Sequence, residues 1–251
     1  MLKNRSAASR PRLEVCVDSP QGLLAAAAGG ADRIELCAAL ALSGLTPSPG
    51  LMALAATLDC PSYAMIRPRA GDFTYSPAEI DVMRRDIDAA RAAGLPGVVF
   101  GASHASGALD EDILAALADH AAGLGRTLHR AFDLVPNPGV ALETAIALRF
   151  ERVLTSGGAP SAPQGADQIA ALVARAGERI SIMPGAGVNP GNAAALIART
   201  GVREVHASCS QPRAQATPNP RAVALGFIAS GERDTDAATV AAMAAVLAEL
   251  G

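Results

Sequence analysis

Eight times along the chain a short apolar or β-branched run gives way to a helical pattern, and this strict alternation constrains the fold more than any other feature. The runs read as strands over 13–17, 32–37, 62–67, 97–102, 126–131, 152–156, 181–184 and 204–208. Helix-start signals fall between them. Ser19-Pro20, Ser48-Pro49, Ser76-Pro77, Asn137-Pro138 and Asn189-Pro190 each set a capping side chain before a proline at the first helical position. Ser76 with Glu79 spells a capping box. Ile80, Met83, Ile87 and Ala90 then keep helical spacing, as do Val240, Met243, Leu247 and Leu250 near the C-terminus. Gly94, Gly123 and Gly177 are placed to end helices. Parallel strands joined by helices close as a single (β/α)8 TIM barrel, and 251 residues is the size of one such domain. A doubly wound open sheet is the alternative that the same alternation allows. The barrel is expected over residues 13–251, with 1–12 as a flexible tail bearing Lys3, Arg5, Arg10 and Arg12.

Charge and cysteine usage narrow the function classes. A formal net charge of −3 offers no basic field for nucleic acid or an anionic membrane. No stretch approaches the roughly 18 uninterrupted apolar residues of a membrane span. A soluble, cytoplasmic protein is expected, without nucleic-acid or membrane partners, and association into a homo-oligomer is left open. The four cysteines, Cys16, Cys37, Cys60 and Cys209, show no CxxC spacing, so zinc-ribbon and thioredoxin patterns fail. Free thiols are expected in a reducing compartment.

In a parallel barrel, chemistry gathers where strands end and βα loops begin. Side chains two apart on a strand share a face, which pairs Glu14 with Cys16, Glu35 with Cys37, Met65 with Arg67, His129 with Asp133 and His206 with Ser208. If these sets point inward, two carboxylates, an arginine and two histidines converge on one barrel mouth. Ion pairs Glu14–Arg67 or Glu35–Arg67 would be one way to bury them. Cys16 and Cys37 read as lying at matching heights on adjacent strands, near enough to share one small ion. Cys60 and Cys209 fall outside the pattern. Two glycine-rich turns, Thr155-Ser156-Gly157-Gly158 and Met183-Pro184-Gly185-Ala186-Gly187, would expose backbone N–H groups and read as anion cradles. Ser156, Gly157, Gly158, Gly185 and Gly187 are the expected contacts there, with Arg67 supplying charge.

The blocks Glu14-Val15-Cys16-Val17-Asp18-Ser19, Gly29 to Cys37, Gly44-Leu45-Thr46-Pro47-Ser48, Met65 to Arg69 with Gly71-Asp72-Phe73, His129 to Asp133, Leu154 to Gly158, and Val205 to Ser208 resemble the CutC copper homeostasis proteins. The resemblance spans residues 13 to about 210; after Ser208 the chain departs from the family pattern. It implies a TIM barrel, a cytoplasmic location and a cofactor or cargo of copper as Cu(I), held by Cys16 and Cys37. Soft thiolates suit Cu(I), with Met65 or Met183 as thioether neighbours. The polar residues of the mouth also allow a different reading: a barrel enzyme (lyase, isomerase or hydrolase) acting on a small anionic molecule, phosphorylated or not. There Arg67 would hold the anion, Glu14 or Glu35 would be the base, and His129 the acid oriented by Asp133; His206 completes the catalytic set.

Overall fold

The computed structural model describes residues 10–213, 219–226 and 233–251. Strands β1 (Arg12–Val17), β2 (Arg33–Leu36), β3 (Ser62–Met65), β4 (Gly97–Phe100), β5 (Gly125–Leu128), β6 (Arg152–Thr155), β7 (Ser181–Pro184) and β8 (Glu204–Ala207) form one sheet. Its order is β7-β6-β5-β4-β3-β2-β1-β8, and every pairing within it is parallel. Helices α1 (Pro20–Ala28), α2 (Pro49–Ala55), α3 (Pro77–Ala92), α4 (Glu111–His120), α5 (Pro138–Ala147), α6 (Ala166–Ala176) and α7 (Ala193–Thr200) alternate with the strands. After β8 come β9 (Ser210–Pro212), α8 (Pro220–Ala224), β10 (Arg233–Thr235) and the closing α9 (Ala237–Ala248). This is a (β/α)8 TIM barrel. β7 and β8 flank its seam, and β9 pairs antiparallel with β10 outside it.

The caps show why the helices start where they do. Ser19, Ser48, Ser76 and Asn137 each accept a backbone N–H of the first turn, each followed by proline, and the Ser76–Glu79 capping box is complete. Asn189-Pro190 behaves differently. The Asn189 side chain accepts the Gly191 N–H at 2.9 Å and closes a turn, and α7 begins only at Ala193. Asp110 and Asp236, absent from the proline pattern, cap α4 and α9. Asp110→Ala is expected to destabilise the fold by about 1 kcal/mol, the usual worth of such a cap, measured by chemical denaturation.

Aliphatic side chains between sheet and helices make the main core: Ile34, Leu36, Ile66, Met83, Ile87 and Leu117 are all fully buried there. The closing helix buries Val240, Met243 and Leu247; Leu250 lies beyond its end and is exposed. Of the tail expected over 1–12, residues 1–9 lie outside the described residues, as do 214–218 of the divergent segment. Arg12 opens β1, and Arg10 forks onto Asp32 through two 2.8 Å bonds, so both belong to the barrel. Among the described residues no helix is long and apolar enough to cross a membrane.

The interior below the mouth is a charged plug. Arg33 bonds Glu14 and, at 2.5 Å, Glu204, while Arg152 lies 3.3 Å from Glu204. Tyr63 packs against the pair of arginines, its ring 5.5 and 5.1 Å from the Arg33 and Arg152 guanidinium carbons. Gly97 and Gly125 make this possible, because a Cβ at either would overlap the tyrosine.

Candidate functional site

Register decides what meets at the mouth. Glu14 stands opposite Arg33 on β2 and His206 on β8; Cys16, one layer up, stands opposite Glu35. Cys16 and Cys37 are therefore staggered by one inward layer, not level as the sequence pattern led us to expect. Cys37 lies just past β2, its thiol donating to Glu35 Oε2 at 3.5 Å, with Met65 and Val99 beside it. Gly44 approaches that sulfur so closely that a Cβ there would sit 3.0 Å from it.

Around Cys16 a compact donor set forms. The Cys16 sulfur, a Glu35 carboxylate oxygen and a His206 nitrogen lie within 4.8 Å of one another. His206 Nδ1 is 2.8 Å from Glu14 Oε1, and Nε2 is 3.8 Å from Glu35 Oε2. Burial alone would lower the His206 pKa. The Cys16 sulfur, the Glu35 carboxylate and the bond to Glu14 outweigh it and push the imidazole well above its ordinary value. Glu14 responds oppositely. Burial raises it, but the Arg33 charge and the His206 bond win and hold it at about 2. Burial leaves Glu35 raised, and its Oε1 has no hydrogen-bond partner. Burial and Glu35 together push the Cys37 thiol well up.

Cys16, Glu35, Met65, Arg67, His129 and His206 line one cavity of about 560 Å³ at the C-terminal ends of the strands. Glu14 lies beneath it, fully buried, and pairs with Arg33 and His206. Neither expected carboxylate pair with Arg67 forms. The Arg67 guanidinium instead donates to the carbonyls of Leu42 at 2.9 Å, Gly44 at 3.1 Å and Gly71 at 2.8 Å. Met183 is likewise displaced from its expected place, its sulfur accepting from Arg33 in the plug at 3.4 Å.

Two expected arrangements are replaced outright. Asp133 does not orient His129, because residues 130–134 turn into a 3-10 helix and break the strand parity. Its carboxylate accepts from Arg130 at 2.7 Å, Thr155 Oγ1 at 2.5 Å and the N–H groups of Ser156 and Gly158 at 3.0 and 3.1 Å. Asp133 thus occupies the first glycine cradle that was expected to take an external anion. In the second, the Gly185 N–H continues the ladder to Thr155 O at 3.0 Å. A Cβ at Gly185 would overlap the end of the Leu154 side chain, which would have to move, and would only touch His206. Gly187 remains on the cavity wall.

His129 is held by other means. Its Nδ1 accepts the Ala131 N–H at 3.2 Å, which places the ring proton on Nε2, and Nε2 has no partner. Its ring lies against Gly101, where any Cβ would clash, and 4.6 Å from Phe73. Burial and the nearby Arg67 charge lower its pKa to about 3, so it is a neutral donor and not an acid at ordinary pH. Cys60 stands apart from the cluster, whereas Cys209 lies outside the donor set but close enough to feel Cys16 and His206; burial pushes both thiols to about 11. Sequence reasoning missed Arg33, although its parity with Glu35 was there to read, and it missed the role of Phe73.

Residues 11–211 match the family model described as the CutC family. A family protein CutC of Caulobacter vibrioides is 62% identical over 234 residues, covering 93% of this chain and 96% of that protein. One from Rhizobium meliloti is 59% identical over 239 residues, with 95% and 97% covered. A crystal structure of a CutC protein from Streptococcus agalactiae superposes with a TM-score of 0.76 at 30% identity, covering 79% of this chain and 98% of that one. Phosphoribosyl anthranilate isomerase from Thermotoga maritima shares the barrel at a TM-score of 0.56 and 14% identity, with 95% and 99% covered; that likeness is one of fold alone.

Proposed function

The chain belongs to the CutC family, and from that membership and the donor cluster we propose that it binds copper(I) at the barrel mouth as a cytoplasmic copper homeostasis protein. The Streptococcus agalactiae relative carries copper homeostasis in its name. The observation that carries the reading is Cys16 Sγ beside His206, with Nδ1 of that ring anchored on buried Glu14. A histidine that ligates a metal through one nitrogen commonly gives its other N–H to a carboxylate, which fixes ring orientation and raises basicity. A thiolate and an imidazole suit Cu(I) in a near-linear geometry. Glu35 stands beside them, and Cys37 supplies an outer sulfur one layer further out. Binding through Nε2 releases a proton, since the His206 imidazolium must give one up.

The test is anaerobic competition against a Cu(I) chelator. The parent is expected to retain copper, and a Cys16→Ser, Cys37→Ser double variant to lose it, while Cys60→Ser and Cys209→Ser bind as the parent does. A double variant that holds copper as tightly as the parent would place the site elsewhere. A second reading, a barrel enzyme acting on a small anion, is favoured by one feature: Arg67 and His129, which line the cavity, each keep a buried nitrogen without a hydrogen-bond partner.

A further inference from the structure

Arg67 and His129 are 5% and 3% exposed and line the same cavity, yet Arg67 Nε and His129 Nε2 have no hydrogen-bond partner. Both atoms carry a proton: the guanidinium by its chemistry, and His129 because its Nδ1 is the acceptor. Among the described residues no carboxylate lies within 4.0 Å of the Arg67 guanidinium, whose bonded partners are three neutral carbonyls. Phe73 packs against both groups, its ring 5.0 Å from the Arg67 guanidinium carbon and 4.6 Å from the His129 ring. A buried cation without a counter-charge, next to a neutral donor without an acceptor, is costly unless an anion joins them.

We infer that this wall is a binding subsite for a small organic carboxylate, held by Arg67 Nε–H and His129 Nε2–H beside the Cys16–Glu35–His206 cluster. Two donors and one fixed charge match a monoanionic carboxylate. A phosphate dianion would need further donors. The glycine turn built to supply them is already filled by Asp133. Arg130, the other arginine on the wall, is neutralised by Asp133 at 2.7 Å. Leu40, Leu134, Leu154 and Val188 add apolar surface to the same cavity, which favours a carboxylate with a short carbon chain. The Tyr75 hydroxyl feels the Arg67 charge and approaches that guanidinium as a weak hydrogen-bond neighbour, short of full hydrogen-bonding geometry.

Isothermal titration of the full chain without added metal tests this independently of copper. The probes are acetate, butyrate, glycolate and inorganic phosphate. Carboxylates are expected to bind, butyrate more tightly than acetate, and phosphate more weakly than either. His129→Asn keeps an acceptor for the Ala131 N–H but removes the distal donor, and should weaken butyrate by about 10- to 100-fold, the loss of one charge-assisted hydrogen bond. His129→Gln returns a donor to that reach and should recover most of the loss. Arg67→Lys keeps the charge without the fork and should resemble His129→Asn, whereas Tyr75→Phe should bind as the parent does. Equal butyrate affinity in the parent and His129→Asn, tighter binding of phosphate, or no heat with any carboxylate would overturn the inference. None of these outcomes bears on copper.

Discussion

Replacing Arg33 by methionine should cost about 3–5 kcal/mol of folding stability, far more than an average substitution. Arg33 lies inside the barrel with only 6% of its side chain exposed, bridging Glu14 and Glu204. Its removal leaves two buried carboxylates competing for His206 and Arg152. An uncompensated buried charge, not the lost attraction itself, sets the size of the effect. For a domain of this size the melting temperature should fall by roughly 2–4 °C per kcal/mol. Adding Glu14→Gln should recover part of the loss, because one orphaned charge is then gone; a further loss would mean that Arg33 acts through packing on Tyr63 alone. The acid limb should change as well. The Arg33 charge and the His206 bond hold Glu14 at about 2 in the folded chain against an ordinary 4.5, so its contribution is complete above 4.5 and fades as pH falls toward 2. In Arg33→Met that limb should flatten, since the charge that depresses Glu14 is absent. Urea denaturation across this pH range measures both effects.

Arg33 also shows where sequence reading stops. Its parity with Glu35 and Cys37 is plain, so its inward direction was readable, and the same parity brought Cys16, Glu35, Arg67, His129 and His206 to one mouth. Height along the barrel was not readable. Strand stagger depends on hydrogen-bond register, and register placed Cys16 beside Glu35 instead of Cys37. Loop conformation was hidden for a related reason. Periodicity speaks for regular structure, but the strand ends at Leu128 and residues 130–134 wind into a 3-10 helix, which swings Asp133 onto the backbone N–H groups of Ser156 and Gly158. A glycine-rich turn announces free N–H groups, but in the folded chain a neighbouring carboxylate, Asp133, has taken them. The fold itself was legible because each strand, cap and helix stripe pointed to the same architecture.

The register has a consequence for copper that single substitutions will expose. If Cys16 and His206 are the ligands, Cys16→Ser should reduce Cu(I) affinity well beyond the roughly 10–100-fold typical of losing a group that merely orients a ligand. Cys37→Ser should cost much less. The Cys37 thiol is pushed well above its usual range by burial and by Glu35, to which it donates, so it resists becoming the thiolate that a soft metal needs. Glu14→Gln falls between the two. Glutamine can still reach His206 Nδ1 but carries no charge to favour the tautomer that leaves Nε2 free, so a loss of about 10–100-fold is expected with the fold intact by circular dichroism. The ordering is therefore Cys16→Ser, then Glu14→Gln, then Cys37→Ser, read by anaerobic chelator competition. Equal and severe losses for the two cysteine variants would instead assign the metal to a thiolate pair. The staggered strands would then have to bring Cys37 inward when copper binds, breaking its bond to Glu35.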